Sequence, residues 1–567
     1  MKPIAERIAA GLLFLLPAAW LIPNHYPPWL SAWSDGWALL TLALVAPWVI
    51  KGTAKIDRLW LTLLAVAASS VVLQWATGRI YYRGDAHLVL IYLSAFAVAL
   101  LCGSSMADDG PSDAKVPPPA YALLSGLAMA AVLSVGVALE QWLAPGTFGL
   151  WSVDRPPSSR PFGNVAQPNH LSTLSFIGLV AVALLRQYRM LASGTTWLAA
   201  VWLVAGMAAS GSRTALLQLG ALCVLSFATR RRLLLSPGPS TCVAWGGVYL
   251  AFTAAWSSVN RLLFGFDLGR SVEQALQSGG TRPGHWITLT DAALREPWFG
   301  YGWTQVSAAQ MRAAGDHAPI GEHIAHAHNV VLDLVIWTGI PLGVAMSCAL
   351  LFWFYRTLRE CRDPWGFWST MAALGVLIHA LLEYPHTYAY FLVPVGILCG
   401  MSGRRVPLPA VRLSARAARM AVLVYAVIFI PVAIEYPNAE AAFRELRMEA
   451  ARISPQPQHP VTDPHLVLTQ LNQLHRFAAS RAQPDMPAAD LAWMRQVAGR
   501  FGYPGVMLRY ATAAGLNGQH AEAEATLRSL CHMHPAPRCA EMRDAWRELT
   551  TRYPELRSIS VPPEQPS

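Results

Sequence analysis

Long apolar stretches separated by short polar connections set the rhythm of this chain. Runs of about 20 apolar residues, the length that crosses a bilayer core, are centred near residues 14, 44, 66, 95, 131, 178, 202, 221, 250, 341, 375, 394 and 426. They predict an all-α, polytopic membrane helix bundle of about 13 spans over residues 1–436. The first run, 8–22, follows the basic Met1–Arg7 segment, yet no small-x-small cleavage site succeeds it and Pro23-Asn24-His25 opens a loop. It reads as a span rather than a signal peptide.

The polar connections alternate in character. Lys2 and Arg7, Lys51, Lys55 and Arg58, Arg186 and Arg189, Arg230-Arg231-Arg232, Arg356, Arg359 and Arg362, and Arg404 and Arg405 fall on one side if every span crosses once. Cytoplasmic loops carry an excess of Lys and Arg, so this side, with the N-terminus, is expected in the cytoplasm. The connection 107–119, with Asp108, Asp109 and Asp113 beside Lys115, fits by parity only. An odd number of spans leaves everything after about residue 436 outside, in the periplasm of a Gram-negative cell.

The outward loops are then 23–35, 74–86, 144–168, 260–327 and 383–389, and they hold nearly all the unusual polar residues. Loop 260–327 exceeds the usual length of a plain connector and predicts function or helices of its own. Past residue 438 charges return at helical spacing in 440–452, 490–500 and 522–528, predicting a soluble helical domain over 437–567. Within it Tyr510, Gly518, Ala523, Leu527 and Pro535 resemble one tetratricopeptide-like helix hairpin. The Pro/Ser-rich end, 558–567, reads as frayed.

Composition narrows the function. Of 567 residues 54% are hydrophobic and 13% charged, against about a quarter charged in soluble domains, which excludes an ordinary soluble enzyme. The net charge of +10 reads as an orientation signal rather than a nucleic-acid footprint, and the 22 tryptophans suit interfacial belts. Six of the eight cysteines (Cys102, Cys223, Cys242, Cys348, Cys361, Cys399) lie in spans or inner connections. Cys531 and Cys539, in the outward tail, are expected to form a disulfide, with a metal site alongside His532 and His534 as the minor alternative.

Five polar patches carry candidate chemistry. Arg160 to His170 is dense in amide and turn groups before the sixth span; Asn169 suits its helix cap, with Asn164 and Gln167 in a solvated loop, or these amides orient a substrate. Ser210-Gly211-Ser212-Arg213 puts one arginine at the outer junction of two spans, where it either snorkels or offers a planar fork to phosphate oxygens. Arg282 lies in Gly279-Gly280-Thr281-Arg282-Pro283-Gly284-His285-Trp286 of the long loop. His323, His326 and His328 precede Asn329; i, i+2 spacing at a helix start does not gather His326 and His328 for a metal, so acid–base work is the better reading. Last, His379, Glu383, Tyr384, His386, Tyr388 and Tyr390 sit at the outer ends of two spans, where a carboxylate is expensive unless paired or wet.

Taken together, Pro23-Asn24-His25, the Gln167-Pro168-Asn169 stretch, Ser210-Gly211-Ser212-Arg213, His326-x-His328-Asn329 followed by Gly339-Ile340-Pro341, and Leu382-Glu383-Tyr384-Pro385 with Tyr388-x-Tyr390-Phe391 resemble the O-antigen ligase and polymerase superfamily (WaaL and Wzy), most closely its PglL-type protein O-oligosaccharyltransferases. Arg509-Tyr510-Ala511 and Asn517-Gly518 in the tail also resemble that branch. Ala327, where the family often has Ser, and His386-Thr387, where it has an aliphatic-aromatic pair, depart from the pattern.

The resemblance implies a GT-C-like bacterial inner-membrane transferase that moves a glycan from an undecaprenyl-diphosphate lipid to a Ser or Thr hydroxyl of an exported, pilin-like protein, without metal or other cofactor. Under it, Arg213 and Arg282 neutralise the diphosphate and His328 takes the acceptor proton; Asn329, Gln167 and Asn169 orient sugar or acceptor, and Glu383 with Tyr384 positions the arginines or the acceptor. His326 and Arg160 join the candidate substrate contacts, with Arg79, Arg83 and Arg270 as further diphosphate candidates. Two other readings stay open: an O-antigen ligase to lipid A core or a polymerase, and a lipid-linked glycan transporter, although transporters gather polar groups near the midplane and show paired repeats.

Overall fold

The computed structural model describes residues 2–107, 117–156, 160–265, 280–451, 453 and 465–563. Asp108, Asp109, Asp113 and Lys115 of the parity-only connection, and Arg270, lie outside the described residues. In chain order the helices are α1 (Lys2–Leu15, prolonged by a 3-10 turn, Leu16–Leu21), α2 (Ala32–Val49), α3 (Arg58–Ala76), α4 (Arg83–Met106), α5 (Pro118–Leu143), α6 (Pro168–Gln187), α7 (Ser193–Ala209), α8 (Arg213–Thr229) and α9 (Pro239–Phe264). There follow α10 (Arg282–Arg295), α11 (Val306–Ala313), α12 (Val330–Thr338), α13 (Ile340–Glu360), α14 (Pro364–Ala380), α15 (Ala389–Arg405) and α16 (Ala415–Ala450). The C-terminal helices are α17 (Thr469–Ala479), α18 (Ala488–Phe501), α19 (Pro504–Leu516), α20 (His520–Met533) and α21 (Ala536–Arg552).

Every apolar centre read from the sequence falls on a helix. Among the described residues, eight helical segments are long and apolar enough to cross a bilayer: Ile4–Leu21, Arg58–Ala76, Arg83–Met106, Pro118–Leu143, Pro168–Gln187, Pro239–Phe264, Ile340–Glu360 and Ala415–Met448. The other five centres fall on α2, of 18 residues, and on α7, α8, α14 and α15, of 17 each. The chain is a multi-pass, largely helical membrane protein.

One expected span differs in form. The run centred near 341 is two helices, because Gly339 adopts φ 87° between α12 and α13, and Pro341 then starts a new helix without an amide N–H to join it to the old one. A Cβ at Gly339 would stand 2.4 Å from the Trp298 carbonyl oxygen, and Ile340 N donates to the Pro297 carbonyl at 2.7 Å. The strand pair β1 (Ala54–Asp57) and β2 (Ala410–Leu413) also qualifies the all-α expectation. It is a short antiparallel ladder with Lys55 opposite Arg412.

The chain divides into two compact units. The first comprises Met1–Ala65, Ile91–Ser278 and Ala349–Ala433, the second Val66–Leu90, Gly279–Cys348 and Ile434–Ser567. The expected soluble domain from 437 therefore shares its unit with two earlier stretches, and α16 runs unbroken through the expected boundary.

In the first unit α6 is buried along nearly its whole length, from Asn169 to Leu185, as a helix surrounded by others must be. Small residues let its neighbours approach: a Cβ at Gly375 of α14 would lie 2.4 Å from the Phe176 ring, the close packing typical of membrane helices. Basic connections meet as well, since Arg232 Nη2 donates to the Leu358 carbonyl at 2.9 Å.

In the second unit α18 to α21 bury one face each. Leu491, Met494, Val497, Ala498 and Phe501 of α18, at helical spacing, join Tyr510, Leu527 and Trp546 in one core. Cys531 and Cys539 form the expected disulfide. The Asp85 carboxylate, in the first turn of α4, receives both Arg500 Nε and Nη2 at 2.8 Å.

Candidate functional site

The candidate residues fall into two clusters, one per unit. In the first unit, Gln167 rather than Asn169 caps α6, its Oε1 accepting from His170 N at 2.8 Å with Pro168 at the first helical position. Asn169 is thereby freed from capping and donates through Nδ2 to Glu383 Oε1 at 2.8 Å, with both side chains buried. The Glu383 carboxylate thus has the partner its depth requires. Asn164, expected in a solvated loop, is buried: its amide donates to the Leu21 and Trp151 carbonyls at 2.8 Å and accepts from Val153 N at 3.1 Å. Gln141, which the sequence did not single out, clamps the same loop through Phe162 N and Gly163 N.

Beneath Glu383 a polar network continues into the helices. Tyr390 Oη is 2.9 Å from His170 Nδ1, and Thr173 Oγ1 is 2.9 Å from His379 Nδ1. Gln218 donates to Thr173 Oγ1 and to the Gly375 carbonyl, each at 2.9 Å. Tyr384 and Tyr388 stack with ring centres 5.9 Å apart. On the Ser210-Gly211-Ser212 turn Arg160 Nη1 donates to the Gly211 carbonyl at 2.8 Å, two residues before Arg213, which is exposed at the first position of α8.

In the second unit the loop from 317 to 329 is built around His328. Asn329 caps α12, its Oδ1 accepting from Val331 N at 2.9 Å and Leu332 N at 3.1 Å, so that carbonyl is spent on the helix, as is that of Gln167. Both side-chain oxygens therefore face the first turn of their helices. On the other side of His328, Ala327 N donates to the buried Asp333 Oδ1 at 2.7 Å, and its carbonyl accepts from Trp286 Nε1 at 3.0 Å. His328 itself lies in the left-handed region at φ 54°.

The His285 ring lies nearly parallel to that of His328, with centres 6.4 Å apart and 11° between planes. His285 Nε2 is 3.2 Å from Glu322 Oε2, and Thr281 Oγ1 donates to the same carboxylate oxygen. These contacts, His285 first, pull the Glu322 carboxyl down to about 2 despite partial burial, so it stays ionised throughout the working range. His285 and Glu322 escaped sequence reasoning: they stand 37 positions apart, and no local spacing couples them.

Other candidates take their places within these units. Arg282 is half-buried at the first position of α10, next to Thr281 in the sequence, and His326 is half-buried two residues before His328. Arg79 is held by the Gly300 carbonyl at 2.7 Å and Glu296 at 3.4 Å, and Arg83 donates to the Leu466 carbonyl. Among the described residues no group of three or more His, Cys, Asp or Glu side chains converges as a metal site.

Residues 198–347 match the O-antigen ligase family, residues 161–185 the protein glycosylation ligase family, and residues 368–548 the family described as virulence factor membrane-bound polymerase, C-terminal. A general O-oligosaccharyltransferase of Acinetobacter baylyi is 29% identical over 405 residues, 69% of each chain. A ComP-specific O-oligosaccharyltransferase of the same organism is 26% identical over 336 residues, 58% of this chain and 59% of that one. A multi-pass helical bundle with these matches is a membrane glycosyltransferase. More narrowly, these matches support a PglL-type protein O-oligosaccharyltransferase of the O-antigen ligase and polymerase (WaaL and Wzy) superfamily.

Proposed function

We propose that this enzyme transfers a glycan from undecaprenyl diphosphate to a Ser or Thr hydroxyl of an exported, pilin-like protein, at the outer face of the bacterial inner membrane. The acceptor oxygen attacks the anomeric carbon, the bond from that carbon to the diphosphate oxygen breaks, and undecaprenyl diphosphate leaves with the electron pair, inverting the centre. His328 takes the hydroxyl proton. Arg213 and Arg282 neutralise the leaving diphosphate through planar, permanently charged guanidiniums, with Arg160 beside Arg213 on its turn. Asn169, Glu383 and Tyr384 form the acceptor-positioning group, and His326 flanks His328.

The observation that carries this reading is the His328 arrangement: an imidazole in a fixed left-handed conformation, facing a second imidazole that an ionised Glu322 holds. That is the build of an acid–base site, where a base is oriented by neighbours rather than by metal. The topology rests on the meeting of basic connections, Lys55 with Arg412 across the ladder and Arg232 with the carbonyl of Leu358. These ends form the cytoplasmic face, with the N-terminus, and the C-terminal helical domain from 437 is periplasmic after about 13 spans.

The test is co-expression with a pilin-type acceptor in a host that makes an undecaprenyl-linked glycan but lacks its own ligase, followed by intact-mass measurement of the pilin. A glycan-sized gain that vanishes in His328→Ala is expected, because general-base help is worth about 10²–10⁴-fold. Glycan on lipid A core or in longer chains, with none on pilin, would move the enzyme to the ligase or polymerase reaction.

A further inference from the structure

A cleft of about 760 Å³ opens within the second unit, away from the His328 loop, in the volume range that holds small organic ligands. One side is the Gly78–Tyr81 turn, another is α11 with the turn that follows it, and the third is formed by α18 and α20. Its charges are unequally matched. Arg79 pairs with Glu296 at 3.4 Å, Arg495 with Glu522 at 3.2 Å, and Asp316 with Arg295 at 2.7 Å. Arg312 and Arg528, both exposed and both lining the cleft, have no ion pair among the described residues. Between the charges lie Met311, Ala525 and the rings of Tyr81 and Tyr301.

This pattern selects its ligand. Two unmatched guanidiniums call for carboxylates or other anions, while the apolar and aromatic surface between them suits side chains of a peptide better than a bare diphosphate. The cleft is also tied to the reaction loop. Helix α11, which lines it with Ala308, Met311 and Arg312, turns Gln310 the other way. Gln310 Nε2 donates to the Glu322 carbonyl at 2.8 Å and its Oε1 accepts from Ile324 N at 3.0 Å, four residues before His328. Helix α20 fixes the arrangement, with Ser529 Oγ donating to the Met311 carbonyl at 2.8 Å and the His532 carbonyl accepting from Ile320 N and Gly321 N at 3.0 Å.

We propose that this cleft is a docking site for an acidic segment of the acceptor polypeptide, held by Arg312 and Arg528 so that a neighbouring hydroxyl is presented to the His328 loop. The inference rests on the protein-acceptor reading above. It makes acceptor choice a matter of charge near the modified residue, set by the second unit.

The first measurement is fluorescence anisotropy of a fluorescein-labelled peptide of about 12 residues, alternating Asp and Glu with Ser, Ala and Val, titrated with the purified full-length enzyme. Binding should weaken about tenfold in Arg312→Glu/Arg528→Glu and return in Arg312→Lys/Arg528→Lys, which keeps the charges, and it should weaken with salt. A matched peptide with Lys in place of the acids should not bind. In transfer assays with a Ser peptide joined to the acidic segment, the double reversal should raise KM for that acceptor about tenfold. An unchanged Kd and KM in the double reversal, with transfer intact, overturns the docking site and leaves the reaction standing. Peptide binding that follows the arginines in an enzyme that glycosylates no protein overturns the protein-acceptor reaction, and with it the acceptor role of the cleft, while the contact of acidic peptide with Arg312 and Arg528 stands. Capture of an acidic polysaccharide such as polygalacturonate, with none of the peptide, assigns the cleft to glycan and overturns the proposal.

Discussion

His328 holds a backbone conformation that costs a non-glycine residue about 1–3 kcal/mol, and it persists because both neighbours are pinned, Ala327 by Asp333 and Asn329 by its cap on α12. The expense fixes the direction of one imidazole. Glu322 acts one step removed, through His285, so its loss should matter less than the roughly 10⁴-fold seen when a carboxylate orients a catalytic histidine directly. Glu322→Gln is expected to lower kcat about tenfold with KM for both substrates retained, measured as initial rates of glycan transfer; an unchanged kcat would remove Glu322 from the mechanism. Because the Glu322 carboxyl is held at about 2, its contact is fully present above the ordinary carboxylate value of 4.5 and fades only as pH falls toward 2. An acid limb near neutrality therefore belongs to another group.

At the scale of elements, the loop before His328 is anchored by a half-buried histidine. His323 Nε2 meets Ser307 Oγ at 2.9 Å, its ring stacks on His534 at 5.9 Å, and Gly502 leaves the room, since a Cβ there would stand 2.4 Å from His323 Nε2. Burial first, then the charges of His534, Arg500 and His285, lower the His323 pKa from 6.5 to about 4. The anchor is thus neutral when docked: its stabilisation is complete above about 6.5 and drains away as pH falls toward 4. Amides of residues 318–326 should exchange faster at pH 5 than at pH 7.5 after correction for intrinsic rates, and His323→Gln should flatten that difference. Equal protection at both pH values would mean the loop is held elsewhere.

Helices were legible because an apolar run of bilayer length has few other fates, and every span centre read from the sequence lies in one. The break at Gly339 was not, since Ile340-Pro341 continues an apolar run and only the approach of the Trp298 carbonyl demands glycine there. Likewise the Asn169 cap assignment failed by two positions, because Gln167 also accepts at a helix start and Pro168 settles which residue comes first. Asn169, Glu383 and His328 stood out as polar groups in apolar surroundings. The groups packed around His328, namely His285, Glu322 and Asp333, are ordinary loop or helix residues until the chain folds.

At the scale of the whole molecule, segments far apart in sequence are joined by a few specific contacts. The Asp85–Arg500 pair is the plainest, with Asp85 1% exposed and both guanidinium nitrogens at 2.8 Å. Breaking a buried pair strands the remaining charge and costs about 3–5 kcal/mol. Asp85→Ala should therefore lower the unfolding midpoint of the purified protein by several degrees and loosen α18, read by proteolysis between residues 480 and 510. A midpoint equal to that of the parent would show the pair to be idle.

Helix α6 carries Asn169, His170, Ser172, Thr173 and Ser175 on a segment that is buried nearly throughout. Such a helix is poorly tolerated by lipid on its own, and its partners Glu383, His379 and Gly375 are made about two hundred residues later. Order of synthesis and order of assembly therefore part company. The ribosome delivers α6 early, but the membrane can give it a permanent place only after α14 has emerged, so the nascent chain must wait, half-built, for its own centre to close.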